Sequence, residues 1–368
     1  MSTPWKRWVP AAVVPLVVVA AAVTLPLSAS AAGDLPEKSA ADLLAFVAES
    51  DTTAFSGEVQ QTSDLGLPDL SALGSTGSSG QGSTEGGASA TSALMELATG
   101  SHQARVYVDA ERGARLQVLD RLAERDIVAT RTDGVWIYDS AENAATHLLP
   151  PTGDASQAPQ SDAPSGEVPT PSSVAEELLA AIDPTTTVAV GSDVRVAGRD
   201  AYELVLTPRD GTTLVGSVTV SIDGETGLPL GVAVTAVGGT APAFSLAYTS
   251  IDVSAPDAAL FAFTPPAGAE VTEKQAPVHD ESPVGDTRDE PVTLEGDSGI
   301  TTTGTGWGSI VELPAGDAES LAQLDAVTTE VDGGRVLSSA LVSVLITDDG
   351  RVLAGAVPVD ALTAAAAR

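Results

Sequence analysis

The chain has no cysteine. That excludes disulfide staples, thiolate metal sites and cysteine nucleophiles, and also anchoring through a lipidated N-terminal cysteine. Lysine occurs only at Lys6, Lys38 and Lys274. Basic side chains are scarce overall, 17 Lys and Arg against 50 Asp and Glu, for a formal net charge of −33. Residues 1–31 hold Lys6 and Arg7 and no acid, so their removal would make the balance more acidic still. A chain this acidic repels nucleic acid and anionic membrane surfaces, so no nucleic-acid partner is expected; the charge favours a soluble monomer.

Chemistry-bearing motifs are equally sparse. His102, His147 and His279 are far apart, and none stands at i,i+4 from a carboxylate. A zinc site needs three or four converging ligands, so no metal is expected. Asp348-Asp349 sits in a tight turn without the alternating ligand spacing of a calcium loop. No Gly-rich phosphate loop joins a strand to a helix, and no cofactor is expected. Gly296-Asp297-Ser298-Gly299 has the letters of a serine-protease nucleophile loop, but it lies in an acidic linker with no partner histidine motif before it. A triad needs geometry as well as a serine. The sequence therefore reads as non-enzymatic.

What is present begins with an export signal. Lys6 and Arg7 precede an apolar run from Val9 to Leu27, and Ala29-Ser30-Ala31 offers a small-x-small cleavage site. This is the pattern of a secretory signal cut after Ala31. The run is nearly long enough to span a bilayer, so the alternative is an uncleaved tether. Either way the chain is expected in the periplasm, the cell envelope or the extracellular space.

Period-2 alternation then dominates. Phe55 to Thr62 reads as a first strand. Residues 103–149 form a β-meander in which Val106 and Val108, then Leu116 and Val118, alternate with polar neighbours. Asp133-Gly134 turns the chain into the strand bearing Trp136 and Tyr138. A second meander carries Tyr202, Leu204 and Leu206, then Val218 and Val220, then Phe244, Leu246 and Tyr248. The pattern gives roughly ten antiparallel strands, too many to stay flat without curling. Helices are expected over 38–49, 172–182, 318–327 and 360–367, with a short helical turn over 93–98. Gly/Ser-rich residues 74–92 read as a loop, 150–171 as a surface insertion, 272–306 as an acidic linker and 307–368 as a small α+β unit, with Thr305 to Gly308 linker-like at their junction. The fold class is α+β, mostly antiparallel.

The apolar strand faces carry two readings. They are a plain core beneath helices, or they line a hydrophobic concavity that holds a lipid. Such pockets are mostly apolar with few polar groups, and each buried methylene contributes about 0.8 kcal/mol. On the second reading the lining is Val106, Val108, Leu116, Val118, Trp136, Tyr138, Tyr202, Leu204, Leu206, Val218, Val220, Phe244, Leu246 and Tyr248.

Two blocks resemble a known family. The first is Phe55-Ser56-Gly57 with Gln61-Thr62, followed by Asp133-Gly134-Val135-Trp136-Ile137-Tyr138-Asp139. The second is Ile222-Asp223, Thr226-Gly227-Leu228-Pro229-Leu230 and Phe244-Ser245-Leu246, ending in Phe261-Ala262-Phe263-Thr264-Pro265-Pro266-Ala267-Gly268. Across residues 38–271 they are similar to the LolA-like superfamily of periplasmic lipoprotein carriers, which includes the RseB/MucB envelope-stress regulators. The resemblance implies an open curved half-barrel under a helical lid. It implies a cavity for lipid or lipoprotein acyl chains, with no enzymatic step. It also implies a lid-gating arginine, for which Arg112 and Arg115 are near the expected region. A carrier is the leading reading. The alternative is a regulator that binds the extracytoplasmic part of a membrane-bound envelope protein through its C-terminal unit. Cleavage has a direct check: N-terminal sequencing of the exported protein should begin at Ala32.

Overall fold

The computed structural model describes residues 35–66, 100–119, 124–150, 170, 185–209, 211–275, 301–313 and 328–367. The signal segment, the expected loop at 74–92 and turn at 93–98, and nearly all of the insertion at 150–171 lie outside the described residues. So do the helices expected at 172–182 and 318–327 and the linker from 276 to 300.

Two sheets organise the described chain. The first contains β1 (Ala54–Ser63), β2 (Gly100–Asp109), β3 (Gly113–Leu119), β4 (Glu124–Thr130), β5 (Gly134–Asp139) and β6 (Ala144–Leu149). It continues with β7 (Thr186–Val190), β8 (Val194–Val196), β9 (Arg199–Pro208), β10 (Val215–Asp223), β11 (Pro229–Ala236), β12 (Phe244–Asp252) and β13 (Glu270–Gln275). Their order is β13-β6-β5-β4-β3-β2-β1-β12-β11-β10-β9-β7, with β8 added to β9. The path does not close, so the sheet is open. Every pairing is antiparallel except that of β13 with β6.

The second sheet contains β14 (Thr301–Thr303), β15 (Ile310–Leu313), β16 (Thr329–Val331), β17 (Gly334–Ser338), β18 (Ser343–Thr347) and β19 (Val352–Gly355), in the order β14-β15-β19-β18-β17-β16. A terminal helix, α2 (Val359–Ala366), closes its core through Leu362 against Leu345 and Leu353. The architecture is α+β and mostly antiparallel.

Thirteen strands stand where the alternation suggests about ten. The clearest addition is β13, which falls where the composition reads as linker. All six of its residues, Glu-Val-Thr-Glu-Lys-Gln, are exposed. A strand held by its backbone ladder and burying nothing leaves no hydrophobic period to read.

Register divides the first sheet into two faces. Gly57, Val106, Leu116, Ile127 and Ile137 form one cross-strand row. Across the other half Tyr202, Leu204 and Leu206 meet Ile222, Val220 and Val218, and Val232 and Val234 meet Leu246 and Phe244. All of these lie on the inner face. Helix α1 (Ala40–Ala48) packs on it through fully buried Leu43. Its start is fixed by a capping box: Ser39 Oγ accepts from Asp42 N, and the Asp42 carboxylate accepts from Ser39 N. At its end Gly227, at φ +75°, lets the chain pass Phe46; a Cβ there would lie 2.5 Å from the Phe46 carbonyl oxygen.

The second unit docks on the same sheet. Leu341, in the turn between β17 and β18, is buried in the core around Tyr202, Leu206 and Val218. Leu214 N donates to Ala356 O and Ala340 N to Leu65 O, each at 2.8 Å. Trp307 Nε1 donates to Thr186 Oγ1 at 2.8 Å. Residues Thr305 to Gly308 are therefore an anchoring turn and not linker: a single ring with one polar atom gives the contact, and one residue has no periodicity.

Asp223, at the end of β10, is the most deeply buried charge among the described residues. It accepts from Arg199 at 2.7 and 2.9 Å, from Thr226 N at 2.9 Å and from Thr226 Oγ1 at 2.6 Å. Burial opposes ionisation, but the Arg199 and Thr226 hydrogen bonds outweigh it and hold the carboxyl below the usual range. The folded value is depressed, so the stabilisation is full above about pH 4 and lost as pH falls through the folded value. Asp223→Asn should lower the unfolding free energy by about 3 kcal/mol at pH 7 by leaving Arg199 without its buried partner. Denaturant melts at pH 7 and pH 3 check this; the gap to the parent should narrow at the lower pH.

Candidate functional site

Twelve of the fourteen residues expected to line a cavity share the inner face. Val106, Val108, Leu116 and Val118 occupy it on β2 and β3, and Phe244, Leu246 and Tyr248 on β12. Tyr202, Leu204, Leu206, Val218 and Val220 occupy it on β9 and β10. The face is not uniform. From β9 to β11 it is closed by α1 and the second unit, and Leu204 and Val220 are 0% exposed. Here the space is filled by side chains. In the middle, Val194 and Val196 of β8 fold over toward Leu246 and Tyr248.

Beyond buried Leu116, the inner face across β3 to β6 is only half-buried. Val118, Ile127, Val135, Ile137 and Leu148 form an apolar wall, ended on one side by the Arg125–Asp139 ion pair at 3.6 Å. This wall is the candidate site. Sequence reading missed Ile127, Val135, Ile137 and Leu148. In β5 both faces are apolar, Val135 and Ile137 on one and Trp136 and Tyr138 on the other. Alternation alone could not say which pair points inward, and the larger rings drew the assignment.

Trp136 and Tyr138 lie on the outer face, which corrects their place in the expected lining. Trp136 pairs with Val128 and His147, in a row continuing to Arg115 and Glu273. Its ring stacks on His147 with centroids 3.9 Å apart, and Nε1 donates to the Asp133 carboxylate at 2.7 Å. Phe263 packs against Trp136 at 5.4 Å and Tyr138 at 5.9 Å. Arg115 Nη1 donates to Leu260 O at 3.0 Å, and Asn143 Nδ2 to Gly268 O at 3.0 Å. The segment between β12 and β13 is thus a strap across the outer face of β3 to β6. The Phe261-Ala262-Phe263-Thr264-Pro265-Pro266 ending and the Asp-Gly hairpin with its tryptophan are the two sides of one fastening.

The two arginines near the expected lid region are engaged elsewhere. Arg115 is on the outer face, paired with Asp126 at 2.6 Å. Arg112 lies in the turn after β2, paired with Asp109. Neither faces the wall. Among the described residues no group of three or more His, Cys, Asp or Glu side chains converges as a metal site. Gln61 is the buried polar side chain on β1, and the wall is hydrocarbon apart from Thr146, the register partner of Ile137. Its chemistry is shape and desolvation.

No protein-family model matches this chain, and no curated protein matches it. Solved structures do. A LolA superfamily protein from Nitrosomonas europaea is similar with a TM-score of 0.22 and 10% identity, over 62% of this chain and 99% of that one. MucB is similar with a TM-score of 0.40 and 19% identity, over 88% of this chain and 94% of that one. The MucA/MucB complex from Pseudomonas aeruginosa gives 0.39 and 20%, over 88% and 96%.

The strap assignment has its own test. Trp136→Ala and Phe263→Ala should each cost about 2 kcal/mol of stability, less than for fully buried rings. Their double-mutant cycle should show a coupling of about 1 kcal/mol in denaturant melts.

Proposed function

We propose that this chain is an exported, non-enzymatic binding protein whose inner face over β3 to β6 takes an acyl chain of a lipid or lipoprotein. The observation that carries the reading is the contrast along one continuous, mostly apolar face: packed and covered from β9 to β11, half-buried at Val118, Ile127, Val135, Ile137 and Leu148. A contiguous apolar surface left partly open is a candidate interaction site. A dozen methylenes buried there would contribute on the order of 10 kcal/mol before the costs of association. Export follows from the N-terminal pattern. No helix among the described residues is long and apolar enough to cross a membrane.

One observation favours a second reading, a regulator that binds the extracytoplasmic part of a membrane protein. The second unit carries an open groove of about 800 Å³ between α2 and the turns at Asp332-Gly333 and Asp348-Asp349, with Val331 and Leu345 in its lining. Removing the whole unit would not separate the readings, because Leu341 belongs to the first sheet's core. Point substitutions do.

Ile137→Asp should weaken uptake of a fluorescent fatty acid at least tenfold, with the melting transition retained, because a carboxylate replaces hydrocarbon in the wall. Native mass spectrometry of protein purified from the envelope should show an adduct that leaves as acylated lipid. A parent that takes up no fatty acid, or an Ile137→Asp variant that binds like the parent, overturns the carrier reading. Loss of a membrane partner in Asp348→Lys/Asp360→Lys, with fatty-acid uptake unchanged, would favour the regulator.

A further inference from the structure

Beneath the strap, the outer face holds a buried imidazole that the proposed binding role does not use. The His147 side chain is 7% exposed. Trp136 covers one side of its ring, and Phe263 of the strap backs Trp136. Nε2 lies 2.6 Å from the carbonyl oxygen of Asp133. A carbonyl only accepts, so in the neutral ring the proton sits on Nε2 and Nδ1 is a bare acceptor. Nδ1 is buried and has no hydrogen-bond partner among the described residues.

Two carboxylates lie near the ring. From the turn before β5, Asp133 Oδ1 lies 3.7 Å from Nε2. From β13, Glu273 Oε1 lies 3.9 Å from Nδ1. Glu273 is the register partner of His147, so its place beside the ring is set by the β6–β13 ladder. Trp136 from β5 and Phe263 from the strap supply aromatic faces and no charge. The described contacts thus bring two carboxylates to one imidazole. The Glu273 side chain is 65% exposed and free to close the last ~1 Å to hydrogen-bond distance.

We propose that His147 is a proton-operated clamp on β13. Protonation at Nδ1 gives β6 a charged N–H that pairs with Glu273 and tightens β13 on the sheet edge; deprotonation releases it. The clamp acts on an edge strand that buries none of its side chains. β13 has one neighbour, pairs with it in parallel, and exposes all six of its residues. Immediately after it the chain passes toward the second unit. Acidification would therefore fix the root of that connection, and neutral or alkaline conditions would loosen it.

The full chain tests this between pH 8 and pH 5. An imidazolium stacked on indole quenches its emission more strongly than the neutral ring does. The part of the tryptophan emission lost in Trp136→Phe should fall with acidification in a single-proton transition. Amide exchange over residues 270–275, corrected for the intrinsic pH dependence, should slow by about threefold across the same transition. His147→Gln should abolish both changes. Glu273→Gln should keep the quenching transition and lose the slowing of exchange. Flat emission and exchange in the parent, or an unaltered transition in His147→Gln, overturns the proposal. Should His147→Gln fail to fold, Glu273→Gln decides: slowing that persists without the carboxylate rules out the clamp.

Discussion

The seam at β1 is what the first sheet depends on. This strand joins the β2–β6 meander to the β9–β12 meander by pairing with β2 on one side and β12 on the other. The partners come from distant parts of the chain; Thr249 Oγ1, for example, donates to Glu58 O across 191 positions. A bulge between Glu58 and Val59 lets Gly57 face Ile251 while Val59 faces Tyr248. Gly57 then lies under the Tyr248 ring, and a Cβ there would meet Ser250 O at 2.5 Å and the ring at 2.8 Å. The glycine of the Phe55-Ser56-Gly57 block is thus a contact requirement. A one-residue slip at this seam would turn one meander's apolar set outward while leaving the other in place.

With the seam fixed, both meanders present hydrocarbon to the same side, and what covers that side differs along its length. At β9 to β11 the cover comes from the chain itself, through α1, Leu341 and the turn around Trp307. Over β3 to β6 the strap is on the opposite face, where it stiffens the wall from behind without occupying it. The aromatic residues thus act as backing, and the aliphatic residues form the half-buried surface for which we propose a ligand. That division suits a site whose work is to exclude water along a flexible chain, since branched aliphatics give a smooth lining and need no polar partners.

The antiparallel meanders, the strand turns and the helix over 38–49 could be read from sequence because each has a local cause: alternation, an Asp-Gly turn, a helical spacing of apolar residues. Twelve of the residues expected as lining could be placed on one face for the same reason, since alternate positions along a strand share a face, as Val106 and Val108 or Leu204 and Leu206 do. The information failed where the cause is not local. β5 is apolar on both faces, so its orientation is decided by pairing with β4 and β6 and by the distant Phe263. β13 buries nothing, and Trp307 acts through one hydrogen bond to Thr186. The division of the wall into covered and half-buried parts depends on where a second unit docks, and no pattern within the strands encodes that.

β13 and the docking contacts of the second unit sit toward opposite ends of one sheet. Ten strand spacings separate β13 from β9, roughly 50 Å along a flat sheet and less along a bent one. Residues 276–300 join the two places, with a reach of about 3.3 Å per residue when extended. Being part of the same chain, the second unit meets its docking surface intramolecularly. Dilution cannot separate the two, however weak the contacts at Leu341 and Ala356 are by themselves. Only a competitor for that surface, or a change at either anchorage, shifts the balance between docked and undocked chain.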